Sequence, residues 1–153
     1  VAQTLNRRRH RSSRERGAEL VEFALVLPLV LVLVMGIFDF GLAFQRYEVI
    51  TNAAREGARL GTLQQAYDGS DIQDRVHHYC RAAGLPTGCS GADVEFTSIV
   101  VGAATMPAVQ VTVNYPYQFA FLGPAMRLIG GASFGTITLR ASSTMRCEVA
   151  CGD

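Results

Sequence analysis

Side chains able to bind a metal or attack a bond are few in this sequence, and most fall in one stretch. "VHHYCRAAGLPTGCSG" brings His77, His78, Cys80 and Cys89 close together along the chain. His77 and Cys80 are three apart, so on a helix they share a side. With Cys89 and a later cysteine they could form a Cys/His zinc site. His78 cannot join without help, because adjacent helical residues point about 100° apart. The serine of "GCSG" lacks the Gly-x-Ser-x-Gly frame of a nucleophile elbow. No phosphate loop or dinucleotide fingerprint occurs, and Asp71, Asp74, Asp93 and Glu95 read as solvated surface acids. Nothing here asks for a cofactor or a small-molecule substrate, and the chain does not read as an enzyme.

A different chemistry is set up near the N-terminus. "RERGAELVEFALVLPLVLVLVMGIF" (14–38) puts Glu22 at the edge of a long apolar run, five residues after Gly17. Phe23 to Phe38 carries no charge or strongly polar group. As a helix it is about 24 Å long, and extending it from Leu20 to Phe44 spans a ~30 Å hydrocarbon core. Glu22 and Asp39 then lie near the two boundaries. All cationic side chains are Arg, and six of the fourteen (Arg7, Arg8, Arg9, Arg11, Arg14 and Arg16) precede Gly17 with one acid, Glu15. The remainder is mildly acidic. Arginines ahead of an apolar span place the N-terminus in the cytoplasm and the residues beyond the span outside. That accounts for the basic head without nucleic acid. The chain thus divides into a basic, disordered cytoplasmic leader (1–17), a transmembrane helix (18–43) and an extracytoplasmic domain (44–153) in the cell membrane.

All four cysteines (Cys80, Cys89, Cys147 and Cys151) lie beyond the span. An even number in an exported body reads as two disulfides in preference to a zinc site, since oxidation competes with thiolate binding. Three pairings are open. Cys80–Cys89 with Cys147–Cys151 is the most local, but spacing does not choose among them.

The elements that must position these groups emerge from periodicity. Phe44, Tyr47, Ile50, Ala54, Ala58 and Gly61 recur at helical spacing, with Gln45, Glu48, Asn52, Arg55 and Arg59 on the other side. One rod from about 18 to 66 results, mildly kinked at Pro28. Ala53, Gly57 and Gly61, like Ala54 and Ala58, lie four apart, a stripe for close packing on the chain's own sheet or on neighbouring subunits. Arg55 and Arg59 share a face, with Glu56 three before Arg59. Ser70 and Gln73 suggest a capping box for a short helix through about Ala83, with Gly84 as its stop. The period then becomes two, around Val94–Val100, Val109–Tyr115 and Ile137–Met145. An antiparallel sheet apolar on one face needs a cover, and the solvent half of the rod supplies it. The expected class is α+β: a long N-terminal helix on a small sheet of about three strands. "YPYQFAFLGPAMRLIGG" (115–131) is too broken to span a membrane and suits a short helix, a membrane-grazing loop or a partner surface.

Gly17, then "AELV", then Glu22–Phe23 ahead of an apolar stem is the layout of a type IV prepilin. "GAELVEFALVLPLVLVLVMGIFDFGLAF" followed by "NAAREGARLGT" resembles the TadE-like family of minor pilins or pseudopilins of the tight-adherence (Tad) pilus. The later "YPYQFAFLGPAMRLIGG" and "ITLRASSTMRCE" also resemble that family's C-terminal part. The resemblance implies a pilin-like fold and cleavage between Gly17 and Ala18 by a prepilin peptidase. It also implies partners among major and other minor pilins and inner-membrane platform proteins, besides membrane lipid. Ala18 and Glu22 would lie one helical turn apart, so Glu22 could neutralise the new α-amino group, its own or a neighbour's, inside a bundle of stems. One competing reading is a signal-anchored extracytoplasmic binding domain with no filament role. Another is signal-peptidase release after Gly41-Leu42-Ala43. A zinc enzyme ranks behind both. On the pilin reading, Glu22→Ala is expected to leave cleavage intact and to lower incorporation into pili, assayed by immunoblot of sheared fibres; unimpaired incorporation would refute the role given to this acid.

Overall fold

The computed structural model describes residues 7–63, 67–85, 89, 91–128, 136–147 and 151. Helix α1, Arg7–Gly61, is one unbroken rod, about 80 Å long at 1.5 Å per residue. It begins eleven residues before Ala18, where the sequence suggested a disordered tail, and residues 1–6 of that tail lie outside the described residues. Arg and Glu are good helix formers, and lengthening an existing helix needs no new nucleus. The helix stays continuous through Pro28. It stops at Gly61, short of the expected 66, in a tighter turn where the Thr62 and Leu63 amides donate to the carbonyls of Arg59 and Leu60 at 3.2 and 3.1 Å. Residues 64–66 lie outside the described residues.

Helix α2, Gly69–Ala82, starts two residues earlier in its capping than Ser70 and Gln73 implied. Asp68 is the cap: its Oδ1 accepts the amides of Ser70 and Asp71 at 2.8 and 3.0 Å, while Asp71 accepts the amide of Asp68 at 3.3 Å. Asp at both positions performs the reciprocal bonding expected of Ser and Gln. The Ser70 hydroxyl also donates to Asp68 Oδ1, at 2.6 Å, and this bond, with those from the Asp71 and Ser70 amides, lowers the Asp68 pKa below its ordinary 3.8. At the other end Gly84 takes φ +79°, and the amides of Gly84 and Leu85 return to the carbonyls of Arg81 and Cys80, each at 3.0 Å. This is a Schellman stop, sealed by the fully buried Leu85.

Three antiparallel strands, β1 (Gly91–Val101), β2 (Ala104–Gln118) and β3 (Thr136–Arg146), form a meander in the order β1-β2-β3. Gly102, at φ +66°, turns the β1–β2 hairpin. Val111 lies between Val94 and Ser143, and Val113 between Ala92 and Ala141. Val109, Val111, Val113, Tyr115 and Tyr117 alternate along β2 and are all buried, with α1 packed on β2 and α2 on β1. Of the segment linking β2 and β3, residues through Gln118 prolong the strand and Leu122–Leu128 form a short helix, α3. The remainder, 129–135, lies outside the described residues. The fold is the α+β arrangement expected, a long helix on a three-stranded antiparallel sheet.

Small residues let α1 approach this sheet. Ala53, Ala54 and Ala58 are fully buried, as is Ile50. A methyl group on Gly57 would meet Val76 Cγ2 at 2.6 Å and Val111 Cγ1 at 3.3 Å; on Gly61 it would meet Ile72 Cδ1 at 2.9 Å and Val109 at 3.1 Å. The stripe therefore docks the helix on its own α2 and β2. The cysteine pairs are Cys80–Cys89, tying the end of α2 to the entry of β1, and Cys147–Cys151 after β3. Gly57→Ala is expected to destabilise the protein by about 1–3 kcal/mol through overpacking. At Gly36, with nothing within 4 Å of such a methyl, alanine should be neutral or stabilising by up to about 1 kcal/mol. Denaturant titration of the full chain in detergent compares the two.

Candidate functional site

The rod has two unlike halves. From Leu20 to Phe38 large apolar side chains stand uncovered, with Leu25 and Leu29 about three-quarters exposed (75% and 73%). Among the described residues one helix is long and apolar enough to cross a membrane, the Gly17–Gly61 part of α1. At its foot Gly17, Ala18, Glu22 and Phe23 all lie within the helix and are exposed. Among the described residues, nothing beyond the local helix comes within 4 Å of a Cβ built on Gly17. Ala18 and Glu22, four apart, stand one above the other on one face.

Coverage begins abruptly at Asp39, which is fully buried. Its Oδ1 accepts the amides of Ala120 and Phe121 at 2.9 and 3.2 Å. Its Oδ2 accepts those of Phe121 and Leu122 at 3.1 and 2.6 Å. The Tyr117 hydroxyl donates to the Asp39 carbonyl at 3.1 Å. Burial raises the Tyr117 pKa above its ordinary 10.0, and the Asp39 carboxylate pushes the same way, so the phenol remains a donor at neutral pH. Four donors converge on one residue of the stem. Around them Phe38 packs beside Phe121 and Phe40 beside Phe119, with ring centroids 6.3 and 6.4 Å apart.

Sequence reasoning places Asp39 at a membrane boundary but gives it no partner, and it sets Phe44 and Tyr47 on the buried face. Both aromatics are exposed, at 64% and 43%, while Ala43 is buried. Helical geometry gives the reason. At 100° per residue, Ala43 and Asp39 fall within about 20° of Ile50, whereas Phe44 falls about 120° away. The signal that could have found Asp39 is its spacing of four from Ala43 and eleven from Ile50. It is masked because an acid is not expected among core positions.

Higher on the rod, Arg46 Nη1 donates to the Gly84 carbonyl at 3.2 Å, linking stem and α2. Arg75 on α2 reaches Glu56 at 2.7 Å, closer than Arg59 at 3.8 Å. Both side chains of the closer pair keep some exposure, so it contributes under about 1 kcal/mol. Arg55 is exposed and donates to Asn52 at 3.4 Å. Of the residues considered for zinc, Cys80 and Cys89 are bonded to each other. No cluster of three His, Cys, Asp or Glu suited to a metal occurs among the described residues.

Residues 17–59 match the family model described as TadE-like protein. That stretch, the stem and the first part of the covered helix, is similar to the TadE-like family. It starts at Gly17, takes in Ala18, Glu22, Phe23 and Asp39, and ends within the small-residue stripe, before Gly61. It is thus narrower than the likeness read from the sequence, since "YPYQFAFLGPAMRLIGG" and "ITLRASSTMRCE" lie beyond it. No curated protein and no solved structure matched the chain. Within the TadE-like stretch, Asp39 is the residue that fastens stem to body. Asp39→Ala is expected to cost about 2–4 kcal/mol, because it strands buried amides that the carboxylate now satisfies. Amide exchange at Ala120, Phe121 and Leu122 should accelerate selectively, and Asp39→Asn, which keeps one acceptor oxygen, should fall between; unchanged exchange in the alanine variant would contradict the clamp.

Proposed function

We propose that this chain is a minor pilin or pseudopilin of a Tad-type pilus assembly system, cut after Gly17 by a prepilin peptidase and acting in pilus biogenesis or priming. The observation that carries the reading is a bare apolar rod within the TadE-like stretch, with Gly17 and Glu22 at its foot and a folded domain fixed at its other end. On this reading the chain is a peptidase substrate and structural subunit, not an enzyme. Its leader is cytoplasmic, its body extracytoplasmic, and its partners are other pilins and membrane platform proteins.

Physical chemistry supports each step. A peptidase cleft takes extended backbone, and Gly17 lowers the cost of unwinding α1 there by about 1 kcal/mol relative to alanine. Cleavage would place a new ammonium on Ala18, one turn from Glu22. A carboxylate in the first turn of the shortened helix also meets the positive end of its dipole. In a bundle of stems an unpaired charge is costly and a paired one tolerable, so the Ala18–Glu22 pairing favours one axial register over its slips.

The rival in which a signal peptidase releases the body after Ala43 is disfavoured by Asp39. That cut would remove the acceptor for the amides of Ala120, Phe121 and Leu122 and take the Tyr117 partner with it. A signal anchor with no filament role keeps the clamp but leaves Gly17 uncut. N-terminal sequencing of membrane-extracted protein separates the readings: mature chains should begin at Ala18 when the peptidase is present and remain uncut when it is absent. Uncut chains in both strains, or chains beginning at Phe44, would refute the proposal.

A further inference from the structure

The stem fixes a height at which the rest of the chain meets lipid. Counted from Phe23, about 20 helical residues fill a ~30 Å hydrocarbon layer and end near Leu42. The segment from Phe119 through α3 lies at this level, because Phe121 packs on Phe38 and Phe119 on Phe40. Its surface is unusual for a water-facing loop. Phe38, Phe40 and Phe121 are 62%, 67% and 45% exposed, and Phe38 and Phe40, two apart on the helix, flank Asp39 on opposite sides of the stem exit. Exposed Arg127 comes next on α3. The backbone of the same segment is satisfied from within: the amides of Ala120, Phe121 and Leu122 all end on Asp39.

Irregular backbone at membrane depth persists only when protein groups take up its hydrogen bonds, since water is scarce there. Aromatic rings concentrate at the border of hydrocarbon and headgroups, and arginine can extend its charge toward phosphate. We propose that Phe119–Arg127 is a membrane-interface foot, seated in the phospholipid headgroup layer beside the stem, with Asp39 carrying its backbone. The foot sets the depth and rotation of the body over the bilayer. Exposed aromatics on both flanks of the stem, with Phe38 in contact with Phe121 and Phe40 with Phe119, favour lipid as the occupant, because they prolong the apolar surface that the stem itself presents. This inference rests on the membrane-stem reading of α1 and adds a second contact with the bilayer.

The chain contains no tryptophan, so single indoles can report depth. Three variants of the full chain are reconstituted into phosphatidylcholine–phosphatidylglycerol vesicles carrying lipids brominated either near the headgroup or deep in the acyl chain. Leu29→Trp tests the stem. Phe121→Trp tests the foot, at a half-exposed site that already holds an aromatic ring. Val100→Trp, 73% exposed at the hairpin tip, lies roughly 45 Å along the sheet from the stem exit and is the reference in water. The foot predicts strong deep quenching at Leu29, blue-shifted emission with preferential shallow quenching at Phe121, and no quenching at Val100. If Leu29 is quenched while Phe121 behaves like Val100, the stem is inserted and the foot is refuted, leaving the exposed aromatics to a protein partner. If Leu29 also escapes quenching, the membrane-stem reading fails and the foot fails with it.

Discussion

Where the bare apolar half of α1 gives way to the folded domain, one residue makes the joint, and it is Asp39. Its carboxylate is fully buried and accepts three consecutive backbone amides, while its carbonyl takes the Tyr117 hydroxyl. A carboxylate alone at that depth is costly, and so is a turn of backbone with no acceptors. Each cancels the other's penalty. Because the bonds run between residues about eighty positions apart in sequence, they also tie the end of β2 to the start of the body's share of α1.

Above this joint the packing is a matter of volume. Alanines and glycines on α1 leave room for the valines of β2 and for Ile72 and Val76 of α2, and each fully buried Ile or Val contributes about 1.5–3 kcal/mol. The Cys80–Cys89 bond closes the far side of α2 onto the sheet. Stem and body thus meet along one face of one helix, fastened at the bottom by hydrogen bonds and higher up by close contact. A chain built this way couples its two halves: a shift of the stem along its axis carries the sheet with it.

The sheet is readable in the sequence because Val109, Val111, Val113 and Tyr115 alternate cleanly with polar neighbours, and β1 and β2 follow one another through a tight turn at Gly102. The apolar stem is readable for a simpler reason, since nothing else has that run of Leu and Val. Asp39 resists because its meaning lies in amides at positions 120–122, and no local rule joins them. The same is true of the exposed Phe44 and Tyr47: helical spacing constrains a face only when its small and polar members are counted with the large ones. The capping of α2 is displaced by two residues from its expected place because Asp68 and Asp71 repeat the geometry that Ser70 and Gln73 suggest. The cysteine pairing needs the Schellman turn at Gly84, which folds the chain back after Cys80.

For a domain carried on a long stem the decisive property is that the rod and the sheet move as one body. Electron-spin distance measurements test this on the full chain in lipid, with spin-labelled non-canonical residues at Leu33 on the stem and Val100 at the hairpin tip, leaving both disulfides intact. A single narrow distance distribution is expected, broadening when Asp39 is replaced by alanine. A broad distribution in the unaltered joint would mean that the body swings freely on its stem, and that the carboxylate at position 39 does not hold the two together.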